Sequence, residues 1–256
     1  MINELIRAML LTIRNSDEYD LFPIKDKKRL EEIMAFVGGE EVDLLMSGIM
    51  DMDAPHQHYQ LKVTLKGSKP PIWRRIVIPG YYTFEELHLV IQEAMGWDNY
   101  HLYLFEYGDF IIDPEAEDDD SFNSFFAPAR PKLDATDTMI AELMVKEGDK
   151  CQYTYDFGDD WQHTIVLEKI LPADEERQVP VCLKGKRACP PEDCGGILGF
   201  ESMLATLEGP DTDEKTHLLD WLGGEFDKEA FNIDYVNANL KELGNEIEEE
   251  LEDYML

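Results

Sequence analysis

Two short segments hold most of the residues that can do chemistry: CQYTYDFGDDWQH, from Cys151 to His163, and ACPPEDCGG, from Ala188 to Gly196. Asp156, Asp159 and His163 in the first, with Glu192 in the second, make a carboxylate–imidazole set. Such a set holds a divalent cation and activates a water on it, as a metal-dependent hydrolase does. The DFGDD word is equally good turn chemistry, because Asp accepts backbone hydrogen bonds and Gly takes positive φ. A second set is built on sulfur. Cys182, Cys189 and Cys194 are separated by six and four residues, and His163 completes four ligands for zinc. The Cys-x-x-Cys pair of ordinary zinc modules is missing, and the plainer reading is buried cysteines acting as small apolar residues. A third set is basic. Between Tyr59 and Gly80 stand Lys62, Lys66, Lys69, Arg74 and Arg75 with no acid, and Trp73 sits beside the arginines. Cations next to a ring can bind an anion or stack a base, but the chain's own carboxylates are the partners first expected.

Charge narrows the choices. A formal net charge of -32 over 256 residues sets up a field that opposes phosphate polymers and anionic membranes. Direct nucleic-acid binding and membrane attachment are therefore not expected, and a protein partner is. The acidic runs Asp113–Asp120 and Glu246–Asp253 read as solvated loop and tail. Carboxylates in such numbers also allow an acidic mimic of nucleic acid. Four cysteines without an export pattern point to thiols or metal ligands in the cytoplasm. The words GxxxxGK[ST], GxGxxG, GxSxG and HExxH are all missing, which removes support for common nucleotide enzymes, serine hydrolases and zincins.

The elements that must position these residues are readable from periodicity. Residues 1–57 read as a helical extension, with Ile2, Leu5, Ile6, Met9, Leu10 and Ile13 on one face. From 58 to 256 the pattern is that of an α+β domain. Tyr59, Leu61, Val63 and Leu65 alternate as in a half-buried strand, Gly67–Pro71 turns, and Trp73–Ile78 returns. Thr83 and Glu86 make a capping box for a helix that Gly96 ends, with His88 beside its apolar stripe as a satisfied core histidine. His101–Tyr107 is a strand, Thr138–Met144 a short helix, and Cys151–Leu167 a hairpin. Trp161, His163, Ile165 and Leu167 line one face of its return strand. Val179–Gly196 reads as an ordered loop, and helices follow over Phe200–Leu207, Glu214–Leu222 and Ile233–Leu243. A mixed or antiparallel sheet with one helix across it results, and a β-grasp-like order fits.

From Tyr59 to about Leu240 the chain resembles the Ri-plasmid ORF-three-like family, also labelled as TnpR-like passengers of an insertion element. The resemblance rests on PPIWRRIVIPG, TFEELHLVIQEAMGW, HLYLFE, YDFGDDWQHTIVLEK, CPPEDCGG and FDKEAFNIDYVNANL. It implies an α+β fold and a mobile-element association, and it carries no established activity. It also implies a shared site made of His88, His101, Asp156, Asp159, Trp161, His163, Cys189, Glu192, Asp193 and Cys194. Arg74 and Arg75 join these as binding candidates. The expected function is a binding or interaction module. Metal-dependent hydrolysis through His163 with Asp156, Asp159 or Glu192, zinc as cofactor, and acidic mimicry stand as alternatives. All require one geometric fact: the DFGDDWQH turn and the CPPEDCGG loop must meet.

Overall fold

The computed structural model describes residues 57–114, 130–172, 174 and 177–255, with side chains through residue 250. The helices expected over residues 1–56 lie outside the described residues. Eight strands form one sheet: β1 (His58–Leu65), β2 (Trp73–Pro79), β3 (Tyr103–Tyr107), β4 (Phe110–Asp113), β5 (Lys132–Asp134), β6 (Lys150–Tyr155), β7 (Trp161–Leu171) and β8 (Val181–Lys186). Their order is β5-β4-β3-β6-β7-β1-β2-β8. Every pair is antiparallel except β4 with β5, so the sheet is mixed at one edge and antiparallel through its centre. The fold is α+β, with helices α1 (Phe84–Met95), α2 (Ile140–Leu143), α3 (Gly196–Glu208), α4 (Asp213–Leu222) and α5 (Ile233–Met255). Among the described residues no helix is long and apolar enough to cross a membrane.

Alternation decides the faces. Along β1, β6 and β7 the alternating buried positions include Tyr59, Leu61, Val63 and Leu65; Cys151, Tyr153 and Tyr155; and Trp161, His163, Ile165 and Leu167. These side chains share the face that α1 covers. The helix starts as its sequence requires: the Thr83 hydroxyl accepts from the Glu86 N–H, and the Glu86 carboxylate reaches back to the Thr83 N–H. Gly96, at φ 87°, ends it in the left-handed region. Phe84 meets Phe105 edge-on across the helix–sheet interface.

Arg74 joins three elements. Its place between Trp73 and Arg75 turns it to the core face, where it is 2% exposed. Nε donates to the Ala94 carbonyl at the C-terminal end of α1 (2.7 Å), and Nη1 donates to the carbonyls of Trp73 and Lys186. The guanidinium lies 4.3 Å from the Phe231 ring centre. A buried cation is tolerated here because it meets the negative end of a helix and three carbonyl oxygens. Arg74 is thus a structural residue, and its expected part in binding is withdrawn.

Two segments differ from expectation. β8 lies inside the stretch read as a loop, because a register shift at Arg75/Ile76 breaks its alternation. Glu246–Asp253, read as a tail, continues α5, where Ile247 is buried. That helix also closes the β8 edge: the Asn237 side chain accepts from the Cys182 N–H (2.7 Å) and donates to the Cys182 carbonyl (3.1 Å). Asn237→Ala strips both partners from an edge strand and is expected to cost about 2 kcal/mol. Urea denaturation of the variant against the parent measures it, and an unchanged midpoint contradicts the capping role.

Candidate functional site

The site is assembled at one end of the sheet by three connections. The first is the segment between α1 and β3, which carries Trp97, Asp98, Asn99, Tyr100 and His101. The second is the 156–160 turn between β6 and β7, and the third is the Cys189–Gly195 loop before α3. Tyr155, at the end of β6, is the post around which the first and third close. Its hydroxyl donates to Glu192 and accepts from the Tyr100 N–H (3.0 Å). The other Glu192 oxygen accepts from the Asp98 N–H (3.1 Å). Trp97 stacks on Tyr155 at 5.1 Å and donates through Nε1 to the Pro190 carbonyl (2.9 Å). Asp159 makes the second latch, accepting from the Gly195 N–H (3.0 Å). The two motif segments therefore meet.

Their meeting brings His101, Asp156 and Asp193 together. His101 Nε2 lies 3.7 Å from Asp156 Oδ2 and 3.4 Å from Asp193 Oδ1, and one ligand atom from each falls within 4.8 Å of the others. Asp156 divides its labour: Oδ1 accepts from the Gly158 N–H (2.8 Å) and shapes the turn, while Oδ2 faces the imidazole. Asp156 and Asp193 both adopt left-handed backbone, with φ 54° and 57°, which Asp tolerates better than most residues. One imidazole and two carboxylates suit a divalent cation, with further positions open to water because the Asp193 side chain is 74% exposed. Around this charged centre stand three exposed apolar side chains, Tyr100, Leu102 and Phe157. Leu102 and Asp156 are joined directly, through the Asp156 N–H and the Leu102 carbonyl (2.9 Å).

His88 supports this loop from below. Gln92 Nε2 donates to the Tyr153 oxygen (2.9 Å), which leaves the Tyr153 proton for His88 Nδ1 (2.8 Å); Nε2–H then donates to Asn99 Oδ1 (2.7 Å). The ring also stacks on Tyr103 at 3.6 Å. Burial holds His88 neutral, lowering its value to about 4. It is a satisfied core histidine that positions Asn99 and, through it, the segment bearing His101.

Several expected roles move. His163 is fully buried and its value falls to about 3, chiefly through desolvation. Nδ1 lies 3.0 Å from the Trp161 carbonyl on its own strand, and the Trp97 ring packs edge-on above it. A site at the surface cannot use it as base or ligand, and Trp161, equally buried, is core rather than a binding surface. Asp159 and Glu192 are latches. The four-ligand zinc set is not assembled: among the described residues Cys182, Cys189, Cys194 and His163 form no group of ligand atoms at metal-holding distances. The physical reason is that Cys182 pairs with Ile76 inside the sheet, whereas Cys189 and Cys194 leave it with the loop. Burial pushes the thiols of Cys189 and Cys194 up to about 12, with Arg74 pulling against it at Cys189, so both stay protonated at neutral pH. Trp97, Asn99 and Tyr155, which frame the site, were not singled out from sequence. The only local signal was an aromatic directly after the Gly96 helix stop.

The family described as plasmid pRiA4b ORF-3-like protein matches residues 57–235. An uncharacterized protein of Sinorhizobium fredii, y4hQ, is 34% identical over 187 residues, 72% of this chain and 91% of its own. The crystal structure of MM3350, a protein of unknown function from Methanosarcina mazei, aligns with a TM-score of 0.60 at 38% identity, covering 70% of this chain and 96% of that one.

Proposed function

The chain belongs to the plasmid pRiA4b ORF-3-like protein family, and on that footing we propose that it is a cytoplasmic binding module whose working surface is the His101–Asp156–Asp193 centre with its apolar rim. One observation carries the reading. Three connections far apart in sequence converge to put an imidazole within 3.7 Å of two carboxylates, with Tyr100, Leu102 and Phe157 exposed beside them. Apolar side chains around a charged centre are what a partner-binding surface needs, and the centre itself suits a divalent cation that a partner's carboxylate or carbonyl then completes.

Isothermal titration of the full chain with Zn²⁺ and Mn²⁺ tests this. Saturable binding is expected, weakened about 10- to 100-fold in His101→Ala and in Asp193→Asn, and unchanged in Cys182→Ser. Titrations that are flat for both ions, or indifferent to His101→Ala, refute the cation centre. The open side of the site also supports a metal-dependent hydrolase with His101 in the part first given to His163. Phosphoester hydrolysis that rises with added Mn²⁺ and is lost in Asp156→Asn distinguishes it from a module that only binds.

A further inference from the structure

The basic hairpin has a second consequence, independent of that site. Trp73 and Arg75 alternate with buried Arg74 along β2, so both lie on the sheet face opposite α1. Pairing fixes their neighbours: Lys62 stands opposite Arg75 and Thr64 opposite Trp73 on β1, while Lys184 stands opposite Arg75 and Lys186 opposite Trp73 on β8. Directly opposed residues share a face. This corner of the sheet therefore presents one row of Lys62, Arg75 and Lys184 beside a second of Thr64, Trp73 and Lys186. With strands about 4.8 Å apart and alternate residues about 6.7 Å apart, all six fall within about 12 Å.

Among the described residues, the expectation that the chain's own carboxylates neutralise this hairpin holds as an ion pair for Arg75, and the same carboxylate, Glu168, also feels the charge of Lys62. Arg75 Nε and Nη2 donate to Glu168 at 2.5 and 2.9 Å. Among the described residues, no carboxylate comes within ion-pairing distance of Lys62, Lys184 or Lys186. Arg75, held by Glu168, lies 5.4 Å from the Trp73 ring centre, and Lys62 Nζ lies 5.3 Å from it. The indole is thus held by cations over its ring and remains half-buried.

We propose that this face binds single-stranded nucleic acid, with a base stacked on Trp73 and the flanking phosphates on Lys62, Lys184 and Lys186. The carboxylates of an acidic peptide would satisfy the lysines but offer the indole no flat ring. A duplex hides its base faces. The net charge of -32 opposes approach from a distance, yet at physiological salt the screening length is about 8 Å, so repulsion from carboxylates beyond the patch is largely removed. The contact is short-ranged and depends on stacking more than on steering.

Fluorescence anisotropy of a labelled oligothymidylate with the full chain at physiological salt tests it. Saturable binding is expected. Trp73→Leu weakens it about tenfold, and the Lys62→Gln, Lys184→Gln, Lys186→Gln triple variant reduces the log–log salt slope by about 2. Thermal melts confirm that these surface variants fold. The proposal is overturned by an oligonucleotide that does not bind, or by binding indifferent to Trp73→Leu. Equal displacement by poly-glutamate overturns it as well, because that outcome assigns the face to acidic peptides. None of these results bears on the His101 centre, whose residues are untouched.

Discussion

On lowering the pH from 7 to about 4.5, the protein is expected to lose about 3 kcal/mol more stability than its His163→Phe variant. The ordinary histidine value of 6.5 falls to about 3 for His163 in the folded chain, first by desolvation and then by the nearby charges of Arg74 and Lys66, against the opposing pull of backbone hydrogen bonds. A depressed folded value means that the unfolded chain takes the proton first. The stability held in neutral His163 is therefore complete above about pH 6.5 and is lost as pH falls through the window down to about 3. Each pH unit in that window costs about 1.4 kcal/mol, which accumulates to about 3 kcal/mol by pH 4.5. His88, lowered to about 4, adds a similar loss in both proteins. Glu85 and Glu86, raised by burial, act in the opposite direction, Glu168, lowered by its hydrogen bond to Arg75, acts in the same direction, and acid relieves the repulsion behind a net charge of -32. Those contributions are common to both proteins and cancel in the difference. At neutral pH the variant should be within about 1 kcal/mol of the parent. Phenylalanine forfeits the contact with the Trp161 carbonyl but also removes Nε2, which has no partner among the described residues. Urea denaturation of both proteins across the pH range gives the answer, and parallel curves would place the acid sensitivity elsewhere.

Gly196→Ala is expected to cost about 3 kcal/mol and to abolish the assembled site, whereas Gly223→Ala costs only about 1 kcal/mol. Both glycines are left-handed, at φ +66° and +71°, so the strain of placing a Cβ on such backbone is nearly the same for each. Only their surroundings differ. A Cβ at Gly223 meets nothing within 4 Å, while one at Gly196 falls 2.4 Å from the Asp159 carbonyl oxygen. That oxygen belongs to the turn whose Asp159 side chain latches Gly195. Relief of the clash must draw the Cys189–Gly195 loop away from the 156–160 turn, and Asp193 goes with it. Divalent-cation affinity in Gly196→Ala should fall at least as far as in Asp193→Asn. A variant that loses no more stability than Gly223→Ala and titrates as the parent does would show that the loop needs no close approach to the turn.

Much of the scaffold was readable because its signals are local. Strand alternation from Tyr59 to Leu65, the Thr83–Glu86 box and the Gly96 stop depend on residues a few positions apart, and the corresponding elements form where they were expected. The same alternation already contained two answers. Arg74 lies out of phase with Trp73 and Arg75, and His163 lies in phase with Ile165 and Leu167, so burial of both follows from period two. Types and motifs marked the chemistry-bearing segments but not who would do what within them. Asp159, Glu192 and His163 look as reactive in sequence as Asp156, Asp193 and His101.

What separated the two groups was contact between segments that no local pattern links. Tyr155 accepts the Tyr100 amide and holds Glu192, and Gly196 lies against the Asp159 carbonyl. Those approaches spend two carboxylates on latching and leave Asp156 and Asp193 facing His101. Periodicity is enforced by neighbours along the chain, and so the sequence alone determines which face of an element is apolar. Which polar groups remain free is decided only after the apolar faces have packed, because packing determines which donors each carboxylate meets.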